Sequence, residues 1–229
     1  MSVFRRWHGS VVNSTTDDPI WKQRAVERSV KTAKLRAAQR VQRFMDAAQA
    51  IIVEKGSTDF TVQEVVERSG QSLRSFYLQF DGKHELLLAL FEDAVDRSAD
   101  QVQAAVDAES DPLGRLKIAI GMLFELCRPD PAANRPLFTD FAPRLLATHP
   151  AEVRMAHAPL LTLLTELMEN ASAAGELRPN VNPARMAPMT LQTVMFIAQS
   201  GGSTDDSTAD SITTDELWDF LANGFAAPK

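Results

Sequence analysis

The sequence predicts an all-α protein. Three observations carry that expectation. Apolar residues recur at helical intervals in almost every segment, Ser, Thr or Asp capping positions stand ahead of several of them, and no convincing alternating strand or hairpin pattern occurs. With 229 residues, 45% of them apolar, the chain can bury a sizeable core as one large or two small domains.

The elements follow in order. Residues 1–19 are polar, end in Asp17-Asp18-Pro19, and read as a disordered tail. Trp21 to Arg40 reads as a basic helix, with Lys22, Arg24, Arg28, Lys31, Lys34, Arg36 and Arg40 set among good helix formers. Phe44, Ala48, Ile51 and Ile52 form a buried stripe that Gly56 ends. Thr61-Val62-Gln63-Glu64 is a capping box, with Phe60 and Val65 placed as a hydrophobic staple. The short helix it starts stops at Ser69-Gly70, where glycine can take the left-handed backbone of a tight turn. Ser72 caps a second short helix through Tyr77, and Phe80-Asp81-Gly82 breaks it. Asp81 is placed to cap a long helix from Lys83, striped by Leu86, Leu87, Leu90, Phe91, Ala94, Val95 and Val102.

Beyond it, Asp111-Pro112 opens a helix carrying Leu113, Leu116, Ile120, Leu123, Phe124 and Cys127. Arg135 to His149 holds a shorter helical pattern interrupted at Pro143. Ala151 to Ala174 is Leu-rich, with Pro159 as a kink or start and Gly175 as its stop. Asn182-Pro183 opens a helix through Ser200 that contains Pro188, and Gly201 to Asp210 reads as a loop. Thr213 and Glu216 form a second capping box ahead of Leu217, Trp218, Leu221 and Phe225.

Composition excludes several classes. Cys127 is the single cysteine, so neither an intrachain disulfide framework nor a cysteine-clustered metal site is possible, and a reducing compartment is expected. No stretch approaches ~18 consecutive apolar residues, so no membrane helix is expected. Arg5-Arg6 resembles a twin-arginine pair, but the polar run Ser10 to Asp18 stands where an apolar region should follow. A cytoplasmic protein is the expectation. Among the four histidines, His149 and His157 are eight apart with no acidic partner at ligand spacing, so no metal site is expected. No cofactor motif is present, and the absence of a nucleophile elbow or paired catalytic carboxylates argues against an enzyme.

Charge is unevenly distributed. The net formal charge is −6, yet residues 1–43 hold ten Lys/Arg against three Asp/Glu, a net of +7, and residues 44–229 carry −13. A basic arm on an acidic body suits one end meeting a polyanion. Charge alone fits a solvated helix equally well. The two short capped helices joined by Ser69-Gly70-Gln71-Ser72 form a candidate helix–turn–helix, in which the second helix can lie in a major groove. A structural glycine turn between short helices fits the same spacing.

Residues 43–91 resemble the DNA-binding region of the tetracycline-repressor (TetR) family of bacterial transcription regulators. The residues carrying the resemblance are Asp46-Ala47-Ala48, Gly56, the run Phe60 to Val66, Ser69-Gly70, Ser72, Phe76-Tyr77, Phe80, Lys83 and Glu85-Leu86-Leu87. Ala173 to Arg178 followed by Asn182-Pro183 is similar to the end of that family's long dimer helix. Gln71 departs from the pattern where a small apolar residue is usual, as does Arg74 where a small residue is frequent. The basic arm before Arg43 is longer than most, and segment 61–83 is itself neutral, so the arm is a source of phosphate affinity the motif lacks.

The resemblance implies a basic extension over 1–40, a helix–turn–helix domain over 41–90 and a helical ligand-binding and dimerisation domain over 91–229. Expected DNA contacts are Thr61, Gln71, Ser72, Leu73, Arg74, Ser75, Tyr77 and Lys83, with Arg36, Arg40 and Arg43 from the arm. Leu73, Arg74 and Ser75 are expected to face the major groove, with Arg74 placed for guanine O6 and N7; a phosphate or Glu67 is its alternative partner. The resemblance gives Tyr77 a backbone phosphate, and Lys83 with the amides at its helix start suits another. An apolar effector pocket is expected among Met122, Phe124, Phe138, Phe141, Met155, Met168, Met189, Met195 and Phe196, although ordinary core packing accounts for most such residues.

The expected protein is therefore a homodimeric regulator, a repressor that binds a near-palindromic double-stranded operator and is released by a small hydrophobic effector. The dimer would form through residues 151–174 and 183–200. The alternative is a helical carrier or sensor of hydrophobic molecules whose helix–turn–helix no longer reads DNA.

Overall fold

The computed structural model describes residues 19–128, 136–200 and 212–227. The expected tail before Pro19, the loop over 201–210 and the start of the 135–149 pattern lie outside the described residues. Contacts divide the chain after Gln42 into two compact units.

Helix α1 (Ile20–Lys55) merges the two helices read at 21–40 and 44–55 into one of 36 residues. Nothing between Arg40 and Phe44 breaks a helix, since Val41, Gln42 and Arg43 all propagate it. Its portion in the first unit is largely exposed, with Arg28 Nε donating to the Arg24 carbonyl at 3.2 Å and Thr32 Oγ1 to the Arg28 carbonyl at 2.9 Å. Its portion in the second unit buries Phe44, Ala47, Ala48, Ile51 and Ile52.

The second unit is wholly helical apart from one isolated bridge, Leu177 to Ala226, among the described residues. It contains α2 (Val62–Ser69), α3 (Leu73–Tyr77), α4 (Lys83–Val106) and α5 (Pro112–Cys127). A π-helix (Leu137–Phe141) runs into α6 (Ala142–Thr148), and α7 (Pro150–Ala156) and α8 (Ala158–Ala173) follow. The chain continues through α9 (Pro183–Ser200) and α10 (Thr214–Phe225). Helices α4, α5, α8 and α9 pack on one another as the body of the unit, with α10 against α5. Gly121 permits that last approach, because a Cβ there would lie 2.9 Å from Thr214 Cγ2.

Three expected features take a different form. Asp81 does not cap α4: the N-cap is Gly82, with no side-chain cap, and the Glu85 carboxylate reaches back to accept from the Asp81 amide at 2.5 Å. The stretch expected over 151–174 is two helices that meet at His157 (φ −84°, ψ 1°), and Pro159 stands in the first turn of α8, as a start and not a kink. Pro143 does not interrupt its helix. It sits in the first turn of α6, where the missing N–H costs nothing, and the preceding π-turn closes by Ala142 N–H donating to the Leu137 carbonyl.

Candidate nucleic-acid interface

The helix–turn–helix is built on a small aromatic core. Phe44 of α1 meets Phe76 of α3 edge to face at 5.3 Å and Phe80 at 6.3 Å, while Phe76 and Phe80 lie 5.5 Å apart. Such pairs add ~0.5–1.5 kcal/mol beyond the area they bury. The Thr61–Glu64 capping box forms as expected, with the Thr61 hydroxyl accepting from the Glu64 amide at 3.2 Å and Glu64 Oε2 accepting from the Thr61 amide at 2.7 Å. Phe60 and Val65, the staple pair, are both buried.

Ion pairs tie α2 to the end of α1. Lys55 Nζ donates to Glu64 Oε1 at 2.7 Å, and Arg68 grips both oxygens of Glu54. Lys55, then the Thr61 amide and hydroxyl, hold the Glu64 carboxyl down at about 2, and Arg68 keeps Glu54 below its ordinary value. Gly70 ends α2 at φ +64°, donating to the Glu67 carbonyl, and the Gln71 amide donates to the Val66 carbonyl at 3.3 Å. That left-handed turn sets the direction in which α3 leaves.

These restraints leave one side of α3 open. Leu73, Arg74 and Tyr77 are exposed, and no hydrogen bond or ion pair holds the Arg74 guanidinium among the described residues. Its rival partner, Glu67, accepts instead from Gln63 Nε2 at 2.8 Å. Ser75 differs from its companions: its hydroxyl is buried with no partner among the described residues, so it turns inward from the exposed side expected for it. The Ser72 hydroxyl is the cap of α3, accepting from the Ser75 amide at 3.1 Å, and the Thr61 hydroxyl is committed to its own capping box. Gln71 is half-buried at the turn. Lys83, at the first position of α4, stands 3.7 Å from Asp59 and 4.8 Å over the Phe60 ring. Arg43 is exposed near the core, while Arg36 and Arg40, in the first unit, are exposed and half-buried respectively.

The expected effector residues separate into two sets. Phe124, Phe138, Phe141 and Met168 are buried, and Met122 and Met195 are half-buried. Phe138 and Phe141 meet Phe91 at 5.6 and 6.1 Å, with the His157 ring 5.2 Å from Phe91 on another side. Met155, Met189 and Phe196 instead face outward, at 65%, 59% and 73% exposure. On α9 the inward positions go to Ala187, Thr190, Leu191, Val194 and Ala198, which leaves Met189 and Phe196, seven residues apart, on the opposite face. An open cleft of about 370 Å³ lies between α8 and α9, lined by Leu161, Thr162, Thr165, Glu166, Ala184 and Pro188, none of them among the expected residues. Pro188 cannot donate to the Ala184 carbonyl, and both flank that cleft.

Two features escaped sequence reading. Asp140 of the π-helix accepts from the Thr58 hydroxyl at 2.6 Å, 82 residues away, joining the α1–α2 loop to the body. His84, His149 and Glu152 also converge, with one ligand atom of each within 4.8 Å of the others. His149 does have an acidic neighbour, three residues on, and only the fold adds His84.

The fold and the exposed side of α3 define a helix–turn–helix of the DNA-binding type joined to a helical body. Residues 44–90 match the family model of bacterial regulatory proteins of the tetR family. Over those residues the helix–turn–helix region is that of a tetR-family regulator. It is 28% identical over 83 residues to the uncharacterized HTH-type transcriptional regulator YvdT of Bacillus subtilis, a match covering 36% of this chain and 43% of YvdT. The HTH-type transcriptional activator FasR of Mycolicibacterium smegmatis is 23% identical over 181 residues, 77% of this chain and 80% of FasR. The structure of the regulator FadR from Bacillus subtilis in complex with stearoyl-CoA superposes with a TM-score of 0.59 at 17% identity, covering 80% of this chain and 98% of FadR. No helix among the described residues is long and apolar enough to cross a membrane.

Proposed function

We propose that this protein is a homodimeric, cytoplasmic repressor that holds a near-palindromic double-stranded operator and releases it when a small hydrophobic effector binds. The observation that carries this reading is the Arg74 guanidinium, exposed on α3 with no protein partner among the described residues, on a helix whose surroundings are tied down by Arg68–Glu54 and Lys55–Glu64. A charged donor fork held without a partner on a braced short helix suits a base edge in a major groove. Arg36, Arg40 and Arg43 supply phosphate affinity in this reading, and Gln71, Tyr77 and Lys83 position the helix.

Dimerisation through α8 and α9 accounts for the outward Met189 and Phe196, since a bulky apolar pair on one helix face suits burial by a second copy. In this reading the effector enters the interior bounded by α5, α8 and α9. Met122, Met168 and Met195 supply adaptable apolar lining there, and the buried Thr190 hydroxyl on α9 has no protein partner among the described residues. FadR binds stearoyl-CoA, which makes acyl thioesters the first class to try.

Selection tests the reading. Sheared genomic DNA is passed over the purified protein at ~150 mM salt, near physiological ionic strength, and the retained fragments are sequenced. A few near-palindromic sites, released by stearoyl-CoA or another long-chain acyl-CoA, are the expected result. Uniform retention or none, from folded dimer, would contradict the reading and leave the motif structural or the arm binding only nonspecifically.

A further inference from the structure

The strongest unassigned constellation lies where the start of α4 meets the elbow between α6 and α7. His84 occupies the first turn of α4, His149 is the elbow residue itself, and Glu152 stands in the first turn of α7. His84 Nε2 lies 2.9 Å from Glu152 Oε2, and the His84 and His149 rings are 4.9 Å apart between centroids at an interplanar angle of 39°. One ligand atom from each of the three residues falls within 4.8 Å of the others. Ligands held ~2.0–2.2 Å from a tetrahedral ion are separated by about 3.3–3.6 Å, so the set has to close by little more than 1 Å to hold an ion.

We propose that His84, His149 and Glu152 bind a divalent transition-metal ion of the zinc class. Two imidazoles and a carboxylate suit zinc, cobalt or nickel and disfavour magnesium and calcium, which take all-oxygen sets. His149 Nδ1 is within 2.9 Å of Thr148 Oγ1. A contact of this kind at one ring nitrogen orients the imidazole and presents Nε2 to a metal. All three side chains retain solvent access, with 48% exposure at His84 and 29% at Glu152 giving an entry path and room for a water as fourth ligand. Binding replaces the His84–Glu152 hydrogen bond with metal–ligand bonds and requires both imidazoles neutral at the coordinating nitrogen.

The consequence is mechanical. The ion bridges the start of α4, the helix that follows the helix–turn–helix, to the elbow between α6 and α7, and so clamps those two places together. Taken with the proposed function, metal occupancy would then bias the orientation in which α3 is presented. The site itself does not depend on DNA binding, and neither does its test.

The experiment is titration of the full, metal-stripped protein with Co²⁺, followed by visible absorption, and then with Zn²⁺. The expected result is a saturable d–d band at one Co²⁺ per chain that Zn²⁺ displaces, with Zn²⁺ raising the melting midpoint. His149→Gln and Glu152→Gln should each weaken Co²⁺ binding at least tenfold and reduce the Zn²⁺-induced rise. Circular dichroism in metal-free buffer checks that the variants are folded. Should either variant fail to fold, His84→Asn serves in its place. Absence of a saturable band, a band unchanged in the His84→Asn/His149→Gln double variant, or equal protection by Mg²⁺ would each overturn the assignment.

Discussion

The Thr58 hydroxyl donates to Asp140 Oδ2 at 2.6 Å, and the Thr58 amide reaches the same oxygen at 3.4 Å. This pair links the loop ahead of α2 to a π-helix in the body. Asp140 Oδ1 meanwhile meets Arg144 at 2.5 Å one turn on, which fixes the carboxylate's orientation. Single π-turns recur at functional positions, and here one carries the acceptor that ties the DNA-binding region to the rest of the unit.

Removing that acceptor strands a buried hydroxyl. Asp140→Ala is expected to destabilise the protein by ~1–3 kcal/mol, the penalty for an unsatisfied buried donor. In a double-mutant cycle with Thr58→Val, the two changes should be non-additive by at least ~0.5 kcal/mol. Additive denaturation midpoints would show that the contact carries no coupling.

Arg74 and Lys83 should separate in DNA binding. Arg74→Ala is expected to relax preference at one base pair, losing ~1–3 kcal/mol of discrimination. Lys83→Ala should weaken binding to every sequence and reduce the salt slope by about one unit. Because Lys83 also sits over the Phe60 ring, its removal should cost a further ~0.5–1 kcal/mol of stability. Equal loss across all sequences in both variants would remove Arg74 from the base-reading role.

The elements were more legible than their junctions. Both capping boxes, the Gly70 turn and the Asp111 cap are local, set by residues within four of one another, and each forms as the sequence indicates. Thr58–Asp140 and the His84–Glu152 pair are separated by 82 and 68 positions. No periodicity encodes such meetings. Asp81 stands out as a cap in the sequence for a related reason: glycine as N-cap gives no side-chain signal, and nothing local shows that the Glu85 carboxylate will accept from the Asp81 amide. Met189 and Phe196 fall in the expected interior set because apolar character alone does not distinguish a core position from an exposed helix face.

His157 should make stability pH-dependent. Burial lowers its pKa below the ordinary 6.5, although the contact to the Val153 carbonyl opposes the shift. The native imidazole is neutral while the unfolded one takes up a proton below 6.5, so this contribution is present above that pH and is lost as pH falls toward the depressed native value. In thermal melts on the acid side of 6.5, His157→Asn should show a shallower decline of the midpoint with falling pH than wild type. Parallel profiles would assign the acid limb to other groups.

Thr190 carries a buried hydroxyl with no protein partner among the described residues. Thr190→Val exchanges that oxygen for a methyl group of similar shape and should stabilise the effector-free protein by about 1 kcal/mol. If the hydroxyl anchors an effector, the same variant should need at least tenfold more acyl-CoA to release DNA. A variant less stable than wild type would indicate that the hydroxyl is already satisfied.

The most direct test of the regulator reading is equilibrium binding of one retained genomic fragment against a shuffled fragment of identical composition, measured over a range of salt. The reading predicts that the retained fragment binds at least ~10³-fold more tightly at ~150 mM salt, with affinity for both falling steeply as salt rises. Equal affinity for the two fragments at every salt concentration would contradict it and leave α3 a structural helix on a ligand-binding body.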